Sequence, residues 1–323
     1  MSESGKSYDV VVFGSCIVDF ISYVPRLPKV GETLHGTRFA TGFGGKGANQ
    51  CVAAARLGSR TAMIGKLGND SWGHDYLKGL QREGIDVDYV EVIDGQSTGI
   101  AQINVSDRGD NQIVIVVGAN NQLLEQDVVA CDSLLQNSKI LICQLETPMK
   151  GTVEALKRFN GISIMNAAPG TEDISVDLLK HSTIFCVNET EAALITGMQV
   201  ETVLQAKAAL LKLRDMGANI VIITLGEKGT IFAQKDSTKV KHVKPYKVDK
   251  VVDTTGAGDA FIGALAHFIA RYPSIELTAC VAAANKVASI SVQKPGTQTS
   301  FPRFNETDLS EPLTQDDDQW KYI

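Results

Sequence analysis

Apolar residues in this chain gather into short continuous runs, and stretches with helical periodicity separate one run from the next. Tyr8 to Phe13 is an apolar run closing on Gly14, which predicts a buried first strand. Gly47 to Leu57 places Ala48, Cys51, Val52 and Ala55 on one helical face. Thr61 to Ile64 reads as a strand, and Ser71 to Gln81 as a helix ending before Gly84. Further strands are expected at Lys139 to Cys143, Ile162 to Met165, Thr183 to Val187 and Ile220 to Thr224, with helices at Met149 to Phe159 and Glu201 to Met216. This alternation predicts an α/β fold, a central and mostly parallel sheet flanked by helices.

Two stretches break the rhythm. Gly31 to Gly42 is rich in Thr and Gly with alternating apolar positions. Thr98 to Val117 holds two β-rich runs around the polar turn Asp107-Arg108-Gly109-Asp110-Asn111, an antiparallel hairpin. Together they predict a small antiparallel β lid, its segments at approximately 20–43 and 98–117, inserted into one domain spanning 1–323. The exposed face of such a lid needs cover, which points to a homodimer formed lid to lid.

Composition narrows the class. The chain has 323 residues and a net charge of −6, which argues against nucleic acid and anionic membrane surfaces as partners. No run nears the roughly eighteen apolar residues of a membrane-spanning helix, and the polar start Met1 to Ser7 lacks the apolar core of a signal peptide. Six scattered cysteines and five dispersed histidines form no C-x-x-C or H-x-x-x-H pattern, so disulfides and a zinc cage are not expected. The expected compartment is the cytoplasm, with the nucleus as a second candidate. The tail Asp316-Asp317-Asp318 reads as a solvated acidic end.

The most informative segment is Asp253-Thr254-Thr255-Gly256-Ala257-Gly258-Asp259-Ala260, a glycine turn opening the apolar stretch Phe261 to Ala266. Such a turn aims free N–H groups and the helix dipole at one spot, which attracts phosphate. Asp259 would repel that phosphate unless it serves as the base for a nucleophile attacking phosphorus; the alternative is an acidic residue in an ordinary first turn. A second constellation is Gly42-Phe43-Gly44-Gly45-Lys46-Gly47-Ala48-Asn49-Gln50. It is not a P-loop, because no hydroxyl residue follows Lys46. Its glycines let backbone approach a small ligand, and Lys46 and Asn49 suit sugar hydroxyls; a glycine hinge with a solvated lysine is the alternative. Asn188-Glu189-Thr190-Glu191 offers oxygen ligands one turn apart for Mg²⁺ on a nucleotide, or else a helix cap paired with Glu191. Thr224-Leu225-Gly226-Glu227-Lys228-Gly229 is a strand end and turn able to touch a nucleotide, though alone it is simply a turn.

In order and spacing these motifs resemble the ribokinase branch of the PfkB carbohydrate kinases, from Tyr8 to Pro302. The resemblance implies a ribokinase-like fold and phosphorylation of the 5-hydroxyl of D-ribose by ATP, with Mg²⁺ and activation by K⁺. By similarity, Asp259 is the base, and Gly256, Ala257 and Gly258 form the anion hole. Ile17, Val18, Asp19, Gly45, Lys46, Gly47, Ala48, Asn49 and Glu146 match the sugar site. Asn188, Thr224, Leu225, Gly226, Glu227, Lys228, Gly229, Gly258, Asp259 and Asn285 match the nucleotide site. Asp253, Thr255, Ser291, Lys294, Gly296 and Ser300 fall on the K⁺ positions, and Glu191 belongs to the Mg²⁺ surroundings.

There are departures from the family pattern. The first sugar motif of the family often reads Asn-x-Asp, whereas Ile17 stands two residues before Asp19 here, and Asn166-Ala167-Ala168-Pro169 replaces Asn-Pro-Ala-Pro. These bear on the choice of sugar. Other sugar or nucleoside kinases (2-deoxyribose, fructose, adenosine) are the rivals. An adenosine site would need more aromatics than Phe39 and Phe43. A non-catalytic sugar-binding regulator would have lost Asp259 or its turn, and a dinucleotide oxidoreductase would carry G-x-G-x-x-G after the first strand.

Overall fold

The computed structural model describes residues 7–234, 237, 239–308 and 319–323; the acidic run Asp316 to Asp318 lies outside them. The strands are β1 (Tyr8–Phe13), β2 (Ile17–Val24), β3 (Arg38–Gly44), β4 (Thr61–Gly68), β5 (Val90–Ile93), β6 (Gly99–Ser106), β7 (Asn111–Val116), β8 (Ser138–Cys143), β9 (Ile162–Asn166), β10 (Ile184–Asn188), β11 (Ile220–Thr224), β12 (Thr230–Ala233), β13 (Lys241–Val243) and β14 (Trp320–Tyr322). The helices are α1 (Lys46–Arg56), α2 (Ser71–Arg82), α3 (Glu125–Ala130), α4 (Asp132–Gln136), α5 (Met149–Arg158), α6 (Val176–His181), α7 (Glu189–Thr196), α8 (Val203–Asp215), α9 (Ala257–Arg271) and α10 (Leu277–Ser291).

Among the described residues a ten-stranded sheet runs in the order β14-β13-β12-β11-β10-β9-β8-β1-β4-β5. It is parallel from β5 to β11, and β12, β13 and β14 then add an antiparallel edge. Side chains alternate across each strand, so the sheet feeds two cores. Val10 and Val12 of β1 pack with α1, α2, α9 and α10, while Val11 and Phe13 pack with α3 to α8. Caps set the helix starts: Asp70 accepts from Gly73 N at 2.8 Å, and Thr202 with Gln205 forms a capping box for α8.

The second sheet has the order β3-β2-β6-β7. Its outer pairs are antiparallel, as the expected lid requires, and β2 meets β6 in parallel. The segment Ile17 to Asp19, just after β1, is the first part of β2. Asp19 therefore stands at the root of this sheet, opposite Gly42 on one side and Ala101 on the other. The loop from Gly31 leads into β3 and is not strand throughout.

Candidate active site

Two helices begin at the same place. Gly256 precedes α9 with φ of 76°, and Gly45 precedes α1 with φ of 83°, both in the left-handed region that a side chain disfavours. A methyl on Gly263 would lie 2.5 Å from Ala53 Cβ and 2.5 Å from the Gln50 carbonyl oxygen, so glycine there lets α9 cross α1 closely. In the turn before α9, the Ala257 N–H donates to the Thr254 carbonyl at 3.2 Å. The N–H groups of Gly258 and Asp259 take no backbone partner among the described residues, as expected in a first helical turn. Of the three residues expected to form an anion hole, Gly256 and Gly258 give their N–H to no backbone partner among the described residues, and of these Gly258 adjoins open space.

Asp259 is buried, and its carboxylate is gripped from α1. Asn49 Nδ2 donates to Oδ2 at 2.9 Å, and Gln50 Nε2 donates to Oδ1 at 2.8 Å. Gln50 Nε2 also donates to Asn166 Oδ1 at 2.9 Å, and its Oε1 accepts from Gln144 Nε2 at 2.7 Å. Both oxygens of the proposed base are thus oriented before any ligand arrives. A pocket of about 160 Å³ opens here, lined by Lys46, Asn188, Glu191, Thr224, Gly258 and Asp259 among others.

Further carboxylates stand in the field of Asp259. Glu146 Oε2 accepts from Ser15 Oγ at 2.6 Å and from Lys46 N at 2.8 Å, tying the end of β1 to the start of α1. Asp19 lies against Gly44, where a Cβ would come within 2.4 Å of its Oδ2. Burial first, then the charges of Glu146 and Asp259, push the Asp19 carboxyl up to about 7. Burial alone would lower Lys46, but the field of Asp259, Glu146 and Glu191 overrides it and holds the ammonium charged. Val18 and Ala48 give their side chains to the core behind the site, so any contact they make with a ligand runs through backbone.

The sequence profile of the "pfkB family carbohydrate kinase" matches residues 7–303. The chain belongs to the pfkB family. Among its relatives, the ribokinase of Mus musculus is 44% identical over 304 residues, covering 93% of this chain and 94% of its own. The deoxyribokinase of Salmonella typhi is 38% identical, covering 92% and 98%. The solved structure of Arabidopsis thaliana ribokinase complexed with ribose and ATP has a TM-score of 0.85 and 31% identity, covering 94% of this chain and 98% of its own.

On the far side of this pfkB-type pocket, Asn188 and Glu191 form a reciprocal cap on α7: Glu191 N donates to Asn188 Oδ1 at 2.9 Å, and Asn188 N to Glu191 Oε2 at 2.8 Å. The helix-cap alternative therefore holds, yet both residues also line the pocket. Burial pushes the Glu191 carboxyl up, against the lowering effects of the Asn188 N–H and Lys46. Leu225 to Gly229 is a tight turn in which Lys228 Nζ reaches the Glu201 carbonyl at 2.7 Å. Asn285 on α10 accepts from Thr230 Oγ1 at 2.7 Å, just past that turn, and its Nδ2 is buried without a partner among the described residues.

The segments expected to hold a monovalent cation do meet. Asp253 Oδ1 accepts from Thr255 N and Oδ2 from Gly296 N, both at 2.9 Å. Burial opposes the Asp253 charge, but these donors outweigh it and draw its carboxyl below the usual range. Ser291 and Ser300 are buried with hydroxyls on the Ala288 and Thr297 carbonyls, and Lys294 Nζ sits 3.3 Å from Glu306. Sequence reasoning quoted Gly44 and Gln50 within the glycine-rich constellation without giving either a role, and it missed Ser15 and Gln298. Only Gln50 gave a signal: it is a polar residue between buried positions of α1, and a buried amide must find partners.

Proposed function

We propose that this chain transfers the γ-phosphoryl group of ATP to the 5-hydroxyl of D-ribose, giving D-ribose 5-phosphate and ADP. The carrying observation is Asp259: a buried carboxylate with both oxygens held, beside a free N–H of Gly258. Asp259 takes the hydroxyl proton as the sugar oxygen attacks phosphorus in line. The amides at the start of α9 stabilise the charge that develops on the transferring group. Asp19 and Glu146 accept sugar hydroxyls, and Lys46 balances the carboxylates. The turn from Leu225 to Gly229, with Thr224 and Asn285, borders the nucleotide. Glu191 and Asn188 would face Mg²⁺ carried on the ATP phosphates, where the ion would offset phosphate charge. Asp253 and the Ser291–Ser300 segment would hold a K⁺, whose charge would order the turn at Gly256; replacing K⁺ by Na⁺ at constant ionic strength then lowers activity, and equal rates would remove the cation from the scheme.

The four-stranded sheet serves as a lid. Asp19, Ile21, Ala101, Ile103, Ile113 and Ile115 share one of its faces by register. Ile113 and Ile115 are 50% and 44% exposed, which supports a second copy of this chain as their cover. One observation favours a second reading: Ile17, buried and apolar, stands where the family often has an amide, so a sugar short of one hydroxyl loses little. A coupled ADP-release assay with ribose, 2-deoxyribose, fructose and adenosine decides. Ribose as the best substrate supports the main reading; 2-deoxyribose as the best supports the second.

A further inference from the structure

Gln298 lies in the loop after α10, remote in sequence from the helix it serves. Its Nε2 donates to Asn49 Oδ1 at 3.0 Å and to Tyr76 Oη at 3.1 Å. An amide NH₂ carries two protons, and both are engaged. Asn49 is thereby held with Oδ1 toward Gln298 and Nδ2 toward Asp259. Turned the other way, Asn49 would set donor against donor at Gln298 and a carbonyl oxygen against the carboxylate of Asp259. Tyr76 is fully buried, stacks on Phe43 at 4.4 Å and donates onward to the Gly44 carbonyl. Gly44 is the wall behind Asp19, so one amide braces both the base and the sugar-binding carboxylate. The loop is itself anchored. Arg56 Nη1 donates to the carbonyls of Gln298 and Phe301, and Arg56 pairs with Glu83 at 2.6 Å.

We propose that Gln298 is a positioning residue for phosphoryl transfer. It orients Asn49, and through Asn49 the carboxylate of Asp259, which makes the loop after α10 a working part of the base. The inference rests on the reading of Asp259 as that base. Gln298→Met keeps the length of the side chain and removes both donors. At saturating ribose and ATP its kcat falls about tenfold, while KM for ATP stays within about twofold. In an Asn49→Ala background the same substitution changes kcat by less than about twofold, because the group it orients is gone. Equal losses in the two backgrounds would overturn the proposal, as would a Gln298→Met enzyme with the parent kcat. Should Gln298→Met not fold, Gln298→Asn carries the same cycle, since its amide is one methylene too short to span the gap. A fully active Asp259→Asn enzyme would remove the base reading and this proposal with it. Additive Gln298 and Asn49 effects beside an inactive Asp259→Asn enzyme would remove this proposal alone.

Discussion

The α1–α9 floor and the four-stranded sheet carry neighbouring carboxylates in surroundings of opposite character: Asp259 lines the pocket, and Asp19 lies within its field. Asp259 rises from two closely crossed helices and receives two amide donors. Asp19 stands at the root of a sheet whose last strand, β7, is exposed along its whole length. Among the described residues it has no such donors, and burial and the charges of Glu146 and Asp259 act on it. A group that must act on a proton at one fixed point gains from a rigid, fully partnered setting. One that must receive and release a ligand gains from being unsatisfied until the ligand comes. In the proposed scheme the floor supplies rate, and the lid supplies recognition.

The largest effect is expected from Asp259→Asn, which keeps the size of the side chain, abolishes proton acceptance and sets its NH₂ against one of the two donors, Asn49 Nδ2 or Gln50 Nε2. We expect kcat to fall by about 10²–10⁴ with sugar binding kept. Turnover within a few-fold of the parent enzyme would deny the floor its role. Asp19→Ala should act the other way, raising KM for ribose about tenfold or more and leaving KM for ATP in place, since a charged acceptor is lost. Equal weakening of both substrates, seen in initial-rate kinetics, would make Asp19 a residue of the fold.

A smaller effect is expected from placing lysines at Ile113 and Ile115 together. Sedimentation should show dissociation to monomers, with activity lowered several-fold through KM for the sugar. An unchanged sedimentation coefficient would leave the lid face without a partner copy.

The smallest effect concerns stability alone. Asp19 is raised from the ordinary 3.8 to about 7, so its favourable contribution is complete below the lower value and is lost as pH rises toward the upper one. Above that range the folded ligand-free protein carries a half-buried charge in the field of two other carboxylates. Asp19→Asn should therefore raise stability by about 1–3 kcal/mol in mildly alkaline buffer and by nearly nothing in acid. Thermal melts in the two buffers check this, and a gain confined to acid would refute it.

How much of this could be seen in the chain follows from locality. The starts of α1 and α9 were readable because glycine, lysine and aspartate act within a few residues of one another at a helix start. The parallel strands were readable from their unbroken apolar runs. The edge strands β13 and β14 were not, because Lys241–Val243 and Trp320–Tyr322 are too short to show a period. The opening of β2 was hidden because Asp19 interrupts the apolar run just where function needs a charge. Nor could Gln298 be assigned from sequence. It meets Asn49 across 249 positions, and nothing around either residue announces the other.

One feature of β2 carries a mechanical meaning. The strand is continuous from Ile17 to Val24, with Asp19 near its inner end and Tyr23, its ring beneath the Arg38 guanidinium at 3.8 Å, near its outer end. At roughly 3.3 Å per residue, Val24 sits about 17 Å out along a stiff arm from Asp19. A tilt of about 10° at the inner end, as a carboxylate settles onto a sugar hydroxyl, sweeps the tip through roughly 3 Å. Small adjustments at the pocket are thereby magnified into displacements wide enough for a neighbouring molecule resting on the sheet to register.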